Sequence, residues 1–377
     1  MIAYFDNAAT TFPKPEEVYA AMDNTARNFG VTPGRGQHIL SAKANRTVEN
    51  ARELILELLH CTNKKAVFTH TATEAINLIL NGLHVPEGAN VYISPFEHNA
   101  VTRTLYHLSK KTEFNLITLS IKDSYVFDLT EIQKQFADNK PYLLVVSHVS
   151  NVFGCVAPVT EIFSIAKKYD AITVLDMCQS AGLFDLQISS DIFDYVVFAG
   201  HKTLYGPLGI SGFISAFPQK LDPLIFGGTG VHSASQEMPD DLVQYEAGSH
   251  SSTLASGFEA ALLWIRQIGI EHIFQKEQEN RQRLIEILNK KDNITIYAPL
   301  KGTGIISCIF DGYSPNEIGQ ILGEKIACRT GLQCAPFAHD FIGTFPAGTV
   351  RFSVGYFNTQ EDFLQLDEML TYIEDNS

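Results

Sequence analysis

The sequence predicts an α/β fold, with a large domain built on a mostly parallel sheet and a smaller α+β domain at the C-terminal end. Short apolar runs alternate with segments of helical spacing between about residues 65 and 216. The runs are apolar on both faces, which is typical of strands in a parallel sheet. A stretch rich in Gly, Ser and Pro then precedes a change of pattern. We therefore expect residues 15–257 to form the large domain and residues 258–377 the small one, with residues 1–14 packing nearby.

The size and composition of the chain fit this organisation. It has 377 residues, of which 45% are hydrophobic, enough for two domains with real cores. Its net charge of −14 argues against binding to nucleic acid and to anionic membrane surfaces. No apolar run approaches the roughly 20 residues of a membrane span, and the N-terminus lacks the basic and apolar regions of a secretion signal. Cytoplasmic residence is the expectation.

Five apolar runs are predicted to be strands of the large sheet: residues 91–94, 143–147, 172–175, 195–198 and 212–214. Between them, residues 100–105 and 159–167 have helical spacing. Ligands of such sheets bind at the carboxyl ends of the strands. Asp176, Asn151, His98 and Lys202 all follow strand ends, so we expect one pocket to receive residues that are far apart in sequence.

The region after this sheet is predicted to be a long loop followed by the small domain. Residues 227–257 are too long for a mere connector, which favours a functional or interface role. The Gly-Gly-Thr-Gly run at 227–230 lacks the spacing and the preceding strand of a nucleotide-binding loop. Residues 258–265 begin a helix, 305–310 form a strand, and 316–322 form a helix that leads toward Cys334.

The most informative local pattern is a buried strand that leads directly to Lys202. The apolar residues 196–199 run into Gly200, His201 and Lys202. A lysine at the end of a buried strand is a candidate Schiff-base lysine, although most lysines simply lie in solvent. Asp176 ends another apolar run, 171–175, where its carboxylate could pair with a pyridinium nitrogen. These are the two groups that pyridoxal phosphate requires.

A third pattern fits the same cofactor. The apolar residues 66–68 lead through Thr71, Ala72 and Thr73 into a helix-like segment at 74–80. Free N–H groups and hydroxyls at a helix N-terminus suit a phosphate, although an ordinary threonine N-cap has the same pattern. The combination of the three patterns favours the cofactor.

Six cysteines occur, without a CxxC pair or the spacing of a metal site, so neither a disulfide framework nor a metal is expected. Most should be small buried side chains, and Cys155 and Cys178 could border the cofactor. Cys334 differs, because Arg329 and Gly331 precede it and Pro336 follows. These surroundings suit an exposed, mobile thiol whose thiolate form a cation could favour.

The chain resembles the class V, fold-type I pyridoxal-phosphate enzymes over nearly its whole length, and within them the cysteine desulfurases and selenocysteine lyases. Residues 4–11 (YFDNAATT), 34–38 (GRGQH) and 350–353 (VRFS) carry the resemblance. The most specific segment, 329–336 (RTGLQCAP), looks like the family's catalytic-cysteine loop.

The resemblance implies a role for each of several residues. Lys202 would bind the cofactor covalently, Asp176 would bind its ring nitrogen, and Cys334 would be the nucleophile. The other implied cofactor contacts are His98 stacking on the ring, Gln179 and Asn151 near the phenolic oxygen, and Thr73, Ala72, His201 and Ser249 at the phosphate. The implied substrate contacts are Arg351 at the carboxylate, with Asn151, Arg329 and His38. From the residues alone, His98 would be a surface or satisfied histidine, and only its place at a strand end favours stacking. For a buried Arg351, an internal salt bridge competes evenly with a carboxylate ligand.

The implied activity is removal of sulfur from L-cysteine, which leaves L-alanine and a persulfide on Cys334. A sulfur-acceptor protein or small thiol would complete the cycle, and the enzyme would be a homodimer. L-Selenocysteine is an alternative substrate, and transamination or epimerisation are alternative reactions in which Cys334 is dispensable.

Two departures from the family pattern motivate a further alternative, a degenerate cofactor-binding scaffold for sulfur transfer. Ala199 stands where the family commonly has serine. Residues 247–252 (AGSHSS) replace the common AGTPNT of a loop that reaches the partner's cofactor phosphate, so Ser249 or Ser252 would have to supply the hydroxyl.

Overall fold

The computed structural model describes residues 2–34, 36, 38–122, 125–217 and 219–376; Arg35 and Gln37 of the 34–38 motif lie outside them. Its helices are α1 (Glu16–Asn28), α2 (Ile39–Leu58), α3 (Ala72–Gly82), α4 (Asn99–Ser109), α5 (Leu129–Asp138), α6 (Val159–Ala166), α7 (Ser252–Ile268), α8 (Ile270–Leu288), α9 (Pro315–Leu322), α10 (Pro336–Phe341) and α11 (Gln360–Asp375). Its strands are β1 (Ala3–Tyr4), β2 (Lys65–Thr69), β3 (Asn90–Ile93), β4 (Asn115–Thr118), β5 (Ile121–Lys122), β6 (Val126–Phe127), β7 (Pro141–Ser147), β8 (Ile172–Asp176), β9 (Tyr195–Ala199), β10 (Ser211–Ser215), β11 (Ile294–Tyr297), β12 (Ile305–Phe310), β13 (Ile326–Ala327), β14 (Arg329–Gly331) and β15 (Thr349–Ser353).

The large sheet has seven strands in the order β2-β10-β9-β8-β7-β3-β4. β10 is antiparallel to both of its neighbours, and the other pairs are parallel. The predicted α/β fold with a mostly parallel sheet is therefore confirmed, and each of the five predicted strands is present. Successive residues of β9 lie in two different cores, with Val196 and Phe198 on one face and Val197 on the other. This double burial explains why the strand sequences are continuously apolar.

The C-terminal part of the chain has its own four-stranded antiparallel sheet, in the order β11-β12-β15-β14. A separate core that includes Leu284, Phe352 and Leu366 lies between this sheet and helices α8, α9 and α11. The strand predicted at 305–310 is β12, and the helix predicted at 316–322 is α9. This arrangement is the α+β layout that the sequence predicts for the small domain.

The predicted domain boundary between residues 257 and 258 falls inside α7. The Phe258 ring stacks on Phe198 of β9 at 6.0 Å between centroids, and it lies 6.1 Å from the Phe68 ring. Because Phe258 belongs to the core of the large sheet, the packing favours a boundary at Gly269, where α7 gives way to α8.

The N-terminal segment connects the two sheets. β1 pairs in parallel with β13, and the Asn7 and Ala8 N–H groups donate to Ser353 of β15. A few residues later, Thr11 donates to the main chain at His201 and Lys202. Among the residues that the structure describes, no helix is both long and apolar enough to cross a membrane.

Candidate active site

A cavity of about 220 Å³ lies at the carboxyl ends of β7, β8 and β9 and at the N-terminus of α3. Eight of the nine predicted cofactor residues line it: Ala72, Thr73, His98, Asn151, Asp176, Gln179, His201 and Lys202. Two larger grooves, of about 660 and 640 Å³, open between helices and contain none of these residues. Convergence of titratable and polar groups, rather than size, identifies the 220 Å³ cavity as the candidate site.

Asp176 is the last residue of β8 and is only 7% exposed. Its Oδ1 accepts a hydrogen bond of 2.8 Å from the Cys178 main-chain N–H, which fixes the carboxylate at the sheet edge. Cys178 lines the same cavity, as expected, and burial raises the pKa of its thiol well above the ordinary range.

The turn that carries Lys202 is held by many main-chain hydrogen bonds. A side chain at Gly200 would place its Cβ 2.4 Å from the Ile210 carbonyl oxygen, so the turn requires glycine there. The Lys202 carbonyl accepts from the Thr11 hydroxyl at 2.8 Å. Among the hydrogen bonds of the described residues, none involves the Lys202 amine. The backbone is therefore fixed, while the amine can react.

The N-terminal segment also binds the carbonyl oxygen of His201. This oxygen accepts from the Thr10 hydroxyl at 3.0 Å, the Thr11 N–H at 3.1 Å and the Lys14 amine at 2.7 Å. Burial lowers the pKa of Lys14 to about 7. The sequence analysis missed Lys14; no local pattern indicates that its amine reaches a turn that lies 187 residues away.

Both histidines of the cavity are neutral near pH 7. Burial, with the neighbouring Lys202, lowers the pKa of His98 to about 4 and of His201 to about 3. His98 is the N-cap of α4, and its Nδ1 accepts from the Ala100 N–H at 3.0 Å, so the ring proton lies on Nε2. The buried Nδ1 of His201 has no partner among the described residues, so it can bind a ligand.

The two interpretations of the threonine pattern apply to different residues. Thr71 is the N-cap of α3, and its hydroxyl accepts from the Glu74 N–H at 3.1 Å. Thr73 lies in the first helical turn and lines the cavity. The helix start is therefore both capped and open toward the cavity.

The two amide side chains of the cavity are held by main-chain carbonyl groups. The Gln179 side-chain NH₂ donates to the Ala8 carbonyl at 2.8 Å, and that of Asn151 donates to the Gln333 carbonyl at 2.7 Å. Both side chains are buried. Asn151 therefore joins the cavity to the loop that carries Cys334.

For Arg351 the sequence left open an internal salt bridge and a site for an anion, and the structure has features of both. It is 2% exposed, and its Nη2 donates to Asp6 Oδ1 at 2.7 Å, which is an internal salt bridge. Its Nη1 donates to the Asn151 carbonyl at 2.8 Å, while its buried Nε has no partner among the residues described. An unpaired guanidinium N–H remains for an anion.

Arg329 also pairs with Asp6, because its Nη2 lies 3.1 Å from Asp6 Oδ2. It lies opposite Arg351 in the β14–β15 ladder. Asp6 thus joins the two predicted substrate-binding arginines, a role that the sequence analysis missed although the 4–11 motif contains it.

Cys334 alone is exposed among the six cysteines, all of which the structure describes. Its carbonyl oxygen accepts from the Asn99 N–H at 2.6 Å, so its loop lies against the start of α4 beside His98. Cys61, Cys155, Cys178 and Cys308 are buried and Cys328 is half-buried. Burial raises the pKa of the Cys155 and Cys328 thiols to about 12, and Cys155 does not line the cavity.

Five predicted site residues do not line the cavity: His38, Ser249, Arg329, Cys334 and Arg351. His38 is exposed, and its Nδ1 accepts from the Ser41 N–H at 3.2 Å as the N-cap of α2. Within one chain it therefore caps a helix, and its predicted substrate contact stays a prediction. Ser249 lines a different cavity of about 70 Å³ with His70 and His250. Its predicted contact with a partner subunit's phosphate stays a prediction.

The sequence analysis also missed Glu97, whose neighbours His98 and Ser147 line the cavity. The Glu97 carboxylate is fully buried and accepts from the Ser147 N–H and hydroxyl, both at 2.7 Å, and from the Ser94 hydroxyl at 2.5 Å. Burial raises its pKa to about 7. Its position immediately before His98 is the only signal that the sequence offers.

Comparison with known proteins places this geometry in a family. The family model for class V aminotransferases matches residues 3–366. A probable cysteine desulfurase of Halalkalibacterium halodurans is 29% identical, over 96% of this chain and 90% of the relative. A probable cysteine desulfurase of Methanothermobacter thermautotrophicus is 30% identical, over 98% of this chain and 94% of the relative. The apo structure of a cysteine desulfurase from Thermococcus onnurineus has a TM-score of 0.92 at 28% identity and covers 100% of this chain and 95% of that one. This chain belongs to the class V aminotransferase family.

Proposed function

We propose that this protein is a pyridoxal-phosphate-dependent cysteine desulfurase, which takes sulfur from L-cysteine and leaves L-alanine and a persulfide on Cys334. The observation that carries the proposal is the position of Cys334. It is exposed, and its loop is hydrogen-bonded to Asn99 and Asn151 at a cavity that contains Lys202 and Asp176. The names of its relatives, probable cysteine desulfurases, support the same reaction.

The residues of the cavity fit pyridoxal phosphate. The unpartnered His201 Nδ1 and the N-terminus of α3 would hold the phosphate, with Ala72 and Thr73 in its first turn. Asp176 would face the ring nitrogen and stabilise its protonated form. Lys202 would bind the cofactor covalently, and the neutral His98 ring would stack on it. When bound, the cofactor supplies an electron sink for the charge that develops at the substrate Cα.

The side chains of this chain account for the other steps. The buried guanidinium of Arg351 would bind the substrate carboxylate, and the Lys202 amine would take the Cα proton as general base. The Cys334 thiolate would attack the substrate sulfur, forming an S–S bond while the Cβ–S bond breaks. The electron pair of that bond stays with the carbon fragment, which takes up protons and leaves as alanine.

A second thiol must complete the cycle, because the persulfide holds sulfur at the oxidation level of a disulfide. An acceptor protein thiol or a small thiol would take the outer sulfur and restore the Cys334 thiol. Exposure of Cys334 makes the persulfide accessible to such a partner.

Assays of the purified, cofactor-loaded protein with L-cysteine and with L-selenocysteine test this function. We expect equimolar alanine and sulfide from cysteine in the presence of a thiol reductant. Selenide release alone would favour a selenocysteine lyase. Visible cofactor absorbance without turnover of either substrate would favour a degenerate scaffold.

The active protein is proposed to be a homodimer, in which Ser249 of each chain would contact the partner's cofactor phosphate. Exposed apolar side chains near this loop support an interface, with Ile225 48% and Phe226 74% exposed. We expect Phe226→Asp to shift the protein toward monomer by light scattering and to weaken cofactor retention. Leu300→Asp, at a side chain that is 95% exposed, is the control. A fully active wild-type monomer would contradict the proposal.

A further inference from the structure

The backbone at Cys334 is strained. Gln333 has φ of +40° and Cys334 has φ of +59°, so two consecutive residues with a Cβ adopt the left-handed conformation. This conformation costs free energy for residues other than glycine and persists only where the surroundings impose it. The sequence predicts a mobile loop here, yet the structure places a strained one next to the candidate nucleophile.

The side chain of Gln333 is held at both ends by hydrogen bonds. It is 6% exposed, and its NH₂ donates to the Thr349 carbonyl at 3.0 Å. Its Oε1 accepts from His339 Nε2 at 2.6 Å. Both ends of the amide are therefore bound, one to a strand of the small sheet and one to α10.

The contact of His339 Nδ1 shows that the ring hydrogen lies on Nε2. Nδ1 lies 2.8 Å from the Thr344 hydroxyl, which can donate to it, and burial lowers the pKa of this histidine to about 4. A neutral ring that accepts at Nδ1 carries its hydrogen at Nε2. Thr344 thereby orients His339 as the donor that Gln333 requires.

Main-chain bonds connect the same two residues to the cavity. The Gln333 carbonyl accepts from the Asn151 side chain at 2.7 Å, and the Cys334 carbonyl accepts from the Asn99 N–H at 2.6 Å. If the Gln333–His339 hydrogen bond served only to pack α10, it would not need to involve a strained residue next to Cys334. We propose that Gln333 is a positioning residue, whose His339-bound amide holds the Cys334 thiol in the orientation for attack on the substrate sulfur.

This inference rests on the proposed function, since it concerns the same thiol, and it is tested with two variants that nearly preserve shape. Gln333→Met removes all three hydrogen bonds of the amide, including the one of 3.4 Å from the Thr349 hydroxyl. Thr344→Val removes the hydroxyl that orients His339. Gln320→Met, at an exposed position of α9, is the matched control. All are measured as cofactor-loaded full chains.

The first readout is the single-turnover rate of persulfide formation on Cys334 from L-cysteine. We expect a loss of about 100-fold in Gln333→Met, because misplacing a reacting atom by about 1 Å has an effect of this size. We expect about tenfold in Thr344→Val, where one neutral hydrogen bond is lost. Cofactor absorbance should stay at the wild-type value, and Tm should fall by only a few degrees, because the loss is confined to the hydrogen bonds of one buried amide. Alkylation of Cys334 by iodoacetamide should not slow, because it needs only an exposed thiol.

The second readout is amide hydrogen exchange of the peptide that spans residues 332–338, which should accelerate in Gln333→Met. Wild-type persulfide and exchange rates in both variants would overturn the inference. Persulfide loss together with loss of cofactor and a Tm lowered by more than a few degrees would also overturn it, because Gln333 would then be structural. If the wild-type chain forms no persulfide, the proposed function fails. Faster exchange in Gln333→Met would even then support the inference that Gln333 restrains the Cys334 loop.

Discussion

Lys202→Ala is expected to abolish alanine formation from L-cysteine, with a loss of at least about 10⁴-fold, because one side chain supplies both the covalent attachment and the general base. The fixed backbone of the Lys202 turn and an amine with no hydrogen-bond partner among the described residues suit both roles. The measurement is reduction with borohydride followed by peptide mapping. The wild-type chain should carry the pyridoxyl group on Lys202, and the variant should carry none.

Lys14→Met is the matched control for that experiment. Lys14 donates to the His201 carbonyl at 2.7 Å, and its lowered pKa makes it the rival amine near the cavity. We expect the label to stay on Lys202 in this variant. A pyridoxyl group on Lys14, or on any other lysine of the wild-type chain, would show that Lys202 is misassigned.

The part of the site that depends on parallel strands could be predicted from the sequence. Asp176 and Lys202 follow continuously apolar runs, and such runs are strands buried on both faces. Parallel strands bring their carboxyl ends to one edge, so residues distant in sequence share one cavity. The chemistry of the side chains at that edge then indicates the cofactor.

The contacts that hold those side chains could not be predicted, because they form between segments with no common pattern. Asp6 binds Arg351 across 345 residues, and nothing local marks it as the counter-ion of two arginines. The strained conformation of Gln333 and Cys334 is equally hidden, since neither residue is a glycine. Gly331, two residues before Gln333, predicts mobility instead.

The packing of Phe258 and the helix cap formed by His38 are contacts that neither the sequence pattern nor the family resemblance specifies. The composition predicts a break after residue 257, whereas Phe258 packs in the large core because α7 begins earlier, at Ser252. The resemblance implies a substrate contact for His38, which stays a prediction, while within the single chain its ring caps α2. A motif fixes residue types, whereas the fold decides what each one contacts.

Cys334→Ser is expected to lose persulfide formation and cysteine desulfuration by about 10³-fold or more while keeping the bound cofactor. The reason is that a thiolate attacks sulfur, whereas a serine hydroxyl is un-ionised and a poor nucleophile toward it. Treatment of the wild-type enzyme with L-cysteine, then with an alkylating probe, should place the extra sulfur on the peptide that contains Cys334. The cofactor spectrum of the variant should match the wild type, since Cys334 does not line the cavity.

Cys328→Ser is the control, because that thiol is half-buried and its pKa is raised to about 12. It should form the persulfide on Cys334 at the wild-type rate. Selenide release from L-selenocysteine by Cys334→Ser would show that the rest of the site is intact, since selenium leaves more readily than sulfur without a thiolate to accept it. Sulfide release from L-cysteine at the wild-type rate in the same variant would show that the Cys334 thiol is not needed for the reaction. Sulfur would then leave by a lyase reaction, which needs the Lys202 amine and Asp176 but no attacking thiol.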